Sequence, residues 1–221
     1  MIKKVLVAED HESVNISVQK TLEQLQVRDI DYVYYCDDAL YRIENEKNAG
    51  QSYDLLICDL SFEDDHRVQK ISGGIDLIAK ARNVQPDLKI LVFSAETKPA
   101  VIDSLFRNHE IDGFVRKARN DSRELQTAFE KISRNERHYP KLVADFAKHQ
   151  NSHNFTDFDI TIISLLAQGM PQKNIPAYLQ RHQIKPSGLS SVEKRFNQIR
   201  NVFEFSNNEQ LVAFCKDMGI I

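Results

Sequence analysis

Four apolar runs in this chain end on residues that can do chemistry. VLVA is followed by Glu9 and Asp10, LLIC by Asp59, LVF by Ser94, and GFVR by Lys117. A charge at the end of a buried run is costly unless it is paired or metal-bound. Three carboxylates, a hydroxyl and an amine make one coherent set. Oxygen ligands that keep some water suit Mg²⁺. Such an ion offsets the repulsion among the acids and lets Asp59 stay ionised. An ionised carboxylate facing an open metal site can act as a nucleophile toward a phosphoryl group. Lys117 and the Ser94 hydroxyl would then hold the phosphoryl oxygens.

The elements that must bring these residues together follow from hydrophobic period. Short strands are expected at Ile2–Ala8, Ile30–Cys36, Tyr53–Cys58, Leu88–Phe93 and Gly113–Val115. Helical spacing lies between them, at Glu12–Leu25, Asp37–Asn48, Gly74–Asn83 and Ala100–Phe106, with a last helix at Asp121–Ser133. Pro86 stops the third helix. Strands and helices in strict alternation imply an α/β domain, a doubly wound five-stranded parallel sheet covered on both faces. Ligands of such sheets sit at the carboxyl ends of the strands, where the reactive residues are.

The ordered set VAED, LLICDL, LVFSAE and DGFVRKA resembles the receiver domain of two-component response regulators, over residues 2–133. The resemblance implies a flavodoxin-like fold and a phosphoacceptor protein rather than an enzyme. Asp59 would take a phosphoryl group from a sensor histidine kinase. Mg²⁺ would be held by Glu9, Asp10, Asp59 and the backbone carbonyl of Ser61. Ser94, Ala95 and Lys117 would bind the phosphate, and Ser94 and Phe114 would form a switch pair. An aspartyl phosphatase of the haloacid dehalogenase type would need an aspartate two positions after the nucleophile, where this chain has Ser61.

The loop after Asp59 departs from the family. Phe62-Glu63 stand where Met-Pro is usual, and the glycine pair Gly73-Gly74 arrives several residues late. The extra residues, among them Asp64, Asp65, His66 and Arg67, read as a solvated insert. Ala118 replaces the frequent proline after the lysine. Cys58, in an apolar run, reads as core packing.

Residues 134–154 read as a polar linker that can hold one helix, with its histidines solvated. From Phe155 the pattern is all helical. Thr156 and Asp159 have capping-box spacing, with Phe155 placed to staple onto Ile160. Ile160, Ile163, Leu166 and Ala167 carry the first helix to a stop at Gly169. Pro171 opens a second helix to about Arg181. Ser190 and Glu193 read as another capping box, starting a helix that turns Val192, Phe196, Ile199 and Phe203 inward. Asn208–Met218 forms the last helix. Residues 155–221 resemble the small all-α helix-turn-helix DNA-binding domain of LuxR- and NarL-type regulators. The segment QRHQIKPSGLSS lengthens the turn before the recognition helix. That resemblance implies double-stranded DNA as a partner, contacted by Lys173, Lys194, Arg195, Asn197 and Gln198, and a homodimer formed on phosphorylation. Asn and Gln can read adenine, and Lys or Arg can take guanine or phosphate.

Bulk properties limit the alternatives. No apolar stretch approaches a membrane span, and the apolar run near the N-terminus is too short for a signal-peptide core. Three cysteines without a CxxC fit buried thiols in a reducing, cytoplasmic compartment. Residues 1–135 carry 19 Lys+Arg against 24 Asp+Glu, whereas residues 151–221 carry 7 against 6. The tail is nearly neutral, which leaves a protein-binding adaptor as the competing reading of its helices.

Overall fold

The computed structural model describes residues 2–63, 65–141, 143 and 155–221. The chain divides into two compact units, residues 1–97 with 102–140, and residues 98–101 with 141–221. In the first unit, β1 (Lys4–Ala8), β2 (Asp29–Val33), β3 (Leu55–Cys58), β4 (Lys89–Ser94) and β5 (Gly113–Arg116) form one sheet. Its order is β2-β1-β3-β4-β5, all parallel. Between and after the strands run α1 (Glu12–Gln24), α2 (Cys36–Asn48), α3 (Gly74–Val84), α4 (Pro99–Asn108) and α5 (Asp121–Ser133). The doubly wound expectation therefore holds.

Both faces of the sheet are covered, which explains its continuous apolar strands. Val5, Val7, Leu55, Ile57, Leu91, Phe93 and Val115 pack on one face with Val18 and Leu22 of α1 and Leu125, Phe129 and Ile132 of α5. The intervening residues Leu6, Leu56, Ile90, Val92 and Phe114 alternate to the other face and are equally buried. Each such side chain contributes about 1.5–3 kcal/mol, so the central strands dominate the stability of this unit.

Two boundaries differ from the sequence-based expectation. The second strand stops at Val33, and Cys36 already belongs to α2, whose first turn carries Asp37 and Asp38. Acids at a helix N-terminus favour that early start through the helix dipole. After α5 the chain does not leave the domain at once. His138 forms a parallel bridge with Gly113, donating its amide to Asp112 O at 2.9 Å and accepting from Phe114 N at 3.2 Å. His138 is buried, not solvated as its polar segment suggested. Most of the expected linker helix lies outside the described residues.

The second unit contains α6 (Asp157–Ala167), a 3-10 turn at Gln172–Asn174, α7 (Ile175–Arg181), α8 (Leu189–Val202) and α9 (Asn208–Asp217). Its core joins Ile162, Ile163, Leu165, Ile175, Leu179, Val192, Phe196, Ile199, Leu211 and Cys215. Gly169 takes a φ of +86° and stops α6 where expected. The Thr156 cap forms, with the Thr156 side chain accepting from Asp159 N and Asp159 answering on Thr156 N. The inward stripe of α6 is Asp159, Ile162, Ile163 and Leu165 rather than the stripe through Ile160 and Ala167. Phe155 stacks on Phe203, with ring centroids 5.7 Å apart. The expected Ser190–Glu193 capping box is absent. The helix begins earlier, at Leu189, with extended Gly188 as its N-cap and no side-chain cap, so Ser190 already lies inside the first turn.

Candidate functional site

Register brings the reactive residues together. Ala8 pairs with Cys58 in β1–β3, so Glu9 and Asp59 leave neighbouring strands side by side. Asp59 N donates to Ala8 O at 3.1 Å, and Glu9 N to Val33 O at 3.1 Å. Ser94 pairs with Arg116 at the far side, and Lys117 N donates to Ser94 O at 2.9 Å. The side chain of Asn15 in α1 donates to Glu9 O at 2.9 Å and fixes the turn after β1.

Lys117 is the hub. Its Nζ lies 2.6 Å from Asp59 Oδ2 and 2.6 Å from Glu9 Oε2. Asp59 is 4% exposed and Glu9 2%. Asp59 Oδ1 also accepts from Leu60 N at 2.6 Å. Burial raises the Glu9 carboxyl above its ordinary range, and the Lys117 hydrogen bond only partly opposes it. For Lys117 burial acts downward, but the hydrogen bonds to Asp59 and Glu9 outweigh it and leave the ammonium raised.

Asp10 is partly buried and held on both oxygens. Oδ1 lies 2.7 Å from His11 Nδ1, and Oδ2 accepts from Glu63 N at 2.7 Å. The Asp10 hydrogen bond, then its charge, raises the His11 imidazole. His11 was not singled out from the sequence; its only signal was its place beside the acid pair. Ligand atoms of Glu9, Asp10 and His11 lie within 4.8 Å of one another. The donor set fits a divalent cation. Glu9 and Asp59 share the one Lys117 ammonium while Asp10 lies beside Glu9, and the surplus among the carboxylates is negative. A hard ion would take the carboxylate oxygens of Glu9, Asp10 and Asp59 in preference to the imidazole.

Ser94 is buried at the end of β4 and Phe114 is fully buried in β5. Ala95 and Ser61 are exposed beside the site. Cys58 is buried and its thiol is raised well above its ordinary value by burial, which suits packing and not reactivity. Gly74 is required by close approach: a Cβ there would sit 1.9 Å from Asp59 O.

The second unit separates the residues expected to contact a ligand. Lys194, Asn197 and Gln198 are exposed on α8, as is Glu193, and Lys173 is exposed on the 3-10 turn. Arg200 donates to the Asn197 side-chain carbonyl. Arg195 lies beside Lys194 and Gln198 but is only partly exposed and already paired. Its Nε and Nη2 donate to the two oxygens of Asp159 at 2.5 and 2.6 Å, and Asp159 is fully buried. Burial would raise the Asp159 carboxyl, but hydrogen bonds from Arg195 and Thr156 leave it below the ordinary range. Arg195 is thus spent on tying α8 to the start of α6. The sequence showed Asp159 only as a capping residue, so its partner went unrecognised.

Comparison with known proteins gives the family. A model of the response regulator receiver domain matches residues 5–130. The transcriptional regulatory protein RcsB of Escherichia coli K12 is 25% identical over 182 residues, 80% of each chain. RcsB of Salmonella typhi is 24% identical over the same length. A structure of two RcsB dimers bound to two parallel DNAs matches with a TM-score of 0.64 at 20% identity, covering 98% of this chain and 99% of that one. The isolated receiver domain of RcsB from Salmonella enterica serovar Typhimurium, solved with the phosphomimetic BeF3-, matches with a TM-score of 0.54 at 25% identity. It covers 66% of this chain and 98% of that one.

Proposed function

The chain belongs to the response regulator receiver family, and on that premise we propose that Asp59 accepts a phosphoryl group and that the second unit binds double-stranded DNA to regulate transcription. The donor is the phosphohistidine of a sensor histidine kinase. An Asp59 carboxylate oxygen attacks phosphorus, the N–P bond breaks, and the histidine nitrogen leaves and takes up a proton. Glu9, Asp10, Asp59 and the Ser61 carbonyl would hold Mg²⁺, which supplies charge neutralisation to the transferring group. Lys117, already 2.6 Å from Asp59 Oδ2, keeps its ammonium beside the new phosphoryl oxygens. Ser94 and the amide of Ala95 complete their binding.

The observation that carries this reading is the double grip of Lys117 on Asp59 and Glu9 at the carboxyl edge of a parallel sheet. The phosphoryl group adds nearly two negative charges. The Ser94 hydroxyl turns toward it, the inward position that Phe114 already occupies is favoured, and the surface that forms the homodimer changes. Two tails then reach paired half-sites on DNA, with Lys194, Asn197, Gln198 and Lys173 as the contacting residues. Among the described residues no helix is long and apolar enough to cross a membrane, and we place the protein in the cytoplasm. We assign the receiver to residues 1–133, the linker to 134–154 and the DNA-binding domain to 155–221, with His138 of the linker still bridged to the receiver sheet.

One observation favours a second reading. With Arg195 committed to Asp159, the exposed face of α8 carries Glu193 beside Lys194 and little net positive charge. That face suits a protein partner, which would make the chain a phosphorylation-switched adaptor. Titration of duplex DNA at several salt concentrations separates the two, because phosphate contacts give affinity a steep salt dependence. Binding that is absent at low salt supports the adaptor.

A further inference from the structure

The lengthened loop after Asp59 is fastened at many points. Its two ends meet, Gly74 N donating to Leu60 O at 3.1 Å, as in an Ω-loop. From there its described residues attach to the start of α2. The Arg67 guanidinium donates to both oxygens of Asp38, at 2.7 and 2.5 Å, and lies 4.3 Å over the Tyr35 ring. Tyr35 Oη donates to Asp65 Oδ2 at 2.6 Å, and Asp65 Oδ1 accepts from Arg67 N at 2.7 Å. Asp37 receives Lys70 N and Ile71 N, each at 2.9 Å, while Ile71 is buried. Asp65, His66 and Arg67 are exposed, as expected of a solvated insert, but the loop is also tied down.

This fastening has a target. Leu60 N is fixed on Asp59, and Glu63 N is fixed on Asp10. Ser61 and Phe62 are all that separates these two anchors, so the backbone of Ser61 has little freedom. We propose that Arg67 is a positioning residue for the divalent-ion site: its clasp on Asp38 and Tyr35 holds the loop so that Glu63 stays on Asp10 and Ser61 stays beside Asp59. The inference rests on the Mg²⁺ reading above. Isolated exposed ion pairs contribute little, but this one is bidentate, stacked on an aromatic ring and joined to a carboxylate network. A lysine lacks the fork and cannot reproduce it. When a binding-competent conformation is only fractionally populated, apparent affinity falls by that fraction. Cutting the clasp should therefore weaken ion binding about three- to tenfold.

Simple electrostatics has the opposite sign. Arg67→Ala removes a positive charge near the site and on charge alone would tighten Mg²⁺ binding. The test is calorimetric titration of full-length wild-type protein, R67A, R67K, D38N, the R67A/D38N double variant and D10N with MgCl₂. It is paired with amide hydrogen exchange of segment 60–73 with and without the ion. R67A should raise Kd about three- to tenfold, R67K should fall between, and the double variant should be no worse than the weaker single. Segment 60–73 should exchange faster in R67A, while the thermal midpoint stays at the wild-type value. R67A binding Mg²⁺ as tightly as wild type, or more tightly, overturns the inference, as does a D38N variant indistinguishable from wild type. D10N binding Mg²⁺ normally, or wild type binding none, overturns the metal reading and the inference with it.

Discussion

Arg195 holds Asp159 through two hydrogen bonds of 2.5 and 2.6 Å, joining the middle of α8 to the capped start of α6. Removing Arg195 leaves the Asp159 carboxylate buried and unpaired, which costs about 3–5 kcal/mol. Arg195→Ala should destabilise the second unit by that amount in denaturant titrations of the full chain, and Asp159→Asn by less, because the Arg195 left behind is partly exposed. Arg195→Lys should recover only part, because it loses the bidentate fork.

The same pair sets a pH dependence. The folded Asp159 carboxyl lies below its ordinary value of 3.8, so the unfolded chain binds the proton more readily. Its stabilisation is then fully present above 3.8 and is lost as pH falls below it. The stability gap between wild type and Asp159→Asn should be wide at neutral pH and shrink in strong acid. A gap that stays constant would contradict the assignment.

For DNA binding, Lys194→Ala should weaken affinity for all duplexes and flatten the salt slope by about one unit. Asn197→Ala should alter preference at one base pair by about 1–3 kcal/mol. Glu193→Ala should leave helix stability unchanged, since the α8 N-cap is Gly188 and makes no side-chain cap. DNA titrations at several salt concentrations and melts of the full chain check all of these.

Much of this was legible in the sequence, for physical reasons. Strand ends are marked by apolar runs, and parallel register then places Glu9, Asp59, Ser94 and Lys117 on one edge. The helix stop at Gly169 and the Thr156 cap are local chemistry and also read directly. What escaped were partnerships distant in sequence. Asp159 and Arg195 are far apart in the chain, and Arg67 meets Asp38 across the site. Nothing local distinguishes a clasping arginine from a solvated one. The missing Ser190 cap is instead local: α8 starts at Leu189 behind extended Gly188, which puts Ser190 inside the first turn.

The switch pair should separate from the chemistry. Ser94→Ala should still take up Mg²⁺ and phosphoryl group, yet fail to dimerise on phosphorylation, as read by light scattering. Equal dimerisation of the phosphorylated variant would remove Ser94 and Phe114 from the signal path.

Gly74→Ala tests how closely α3 supports the acceptor. Its Cβ would press on Asp59 O and Leu60 Cα, at 1.9 and 2.7 Å. Backbone must move, at a cost of about 1–3 kcal/mol or more, and phosphorylation should slow with it.

Intact mass after incubation with Mg²⁺ and a small phosphodonor tests the central claim most directly. Wild-type protein should gain the mass of one phosphoryl group, only when the divalent ion is present, and Asp59→Asn should gain none. Labelling of Asp59→Asn at the wild-type level, or wild-type labelling that ignores removal of the metal, would contradict Asp59 as the metal-assisted phosphoacceptor.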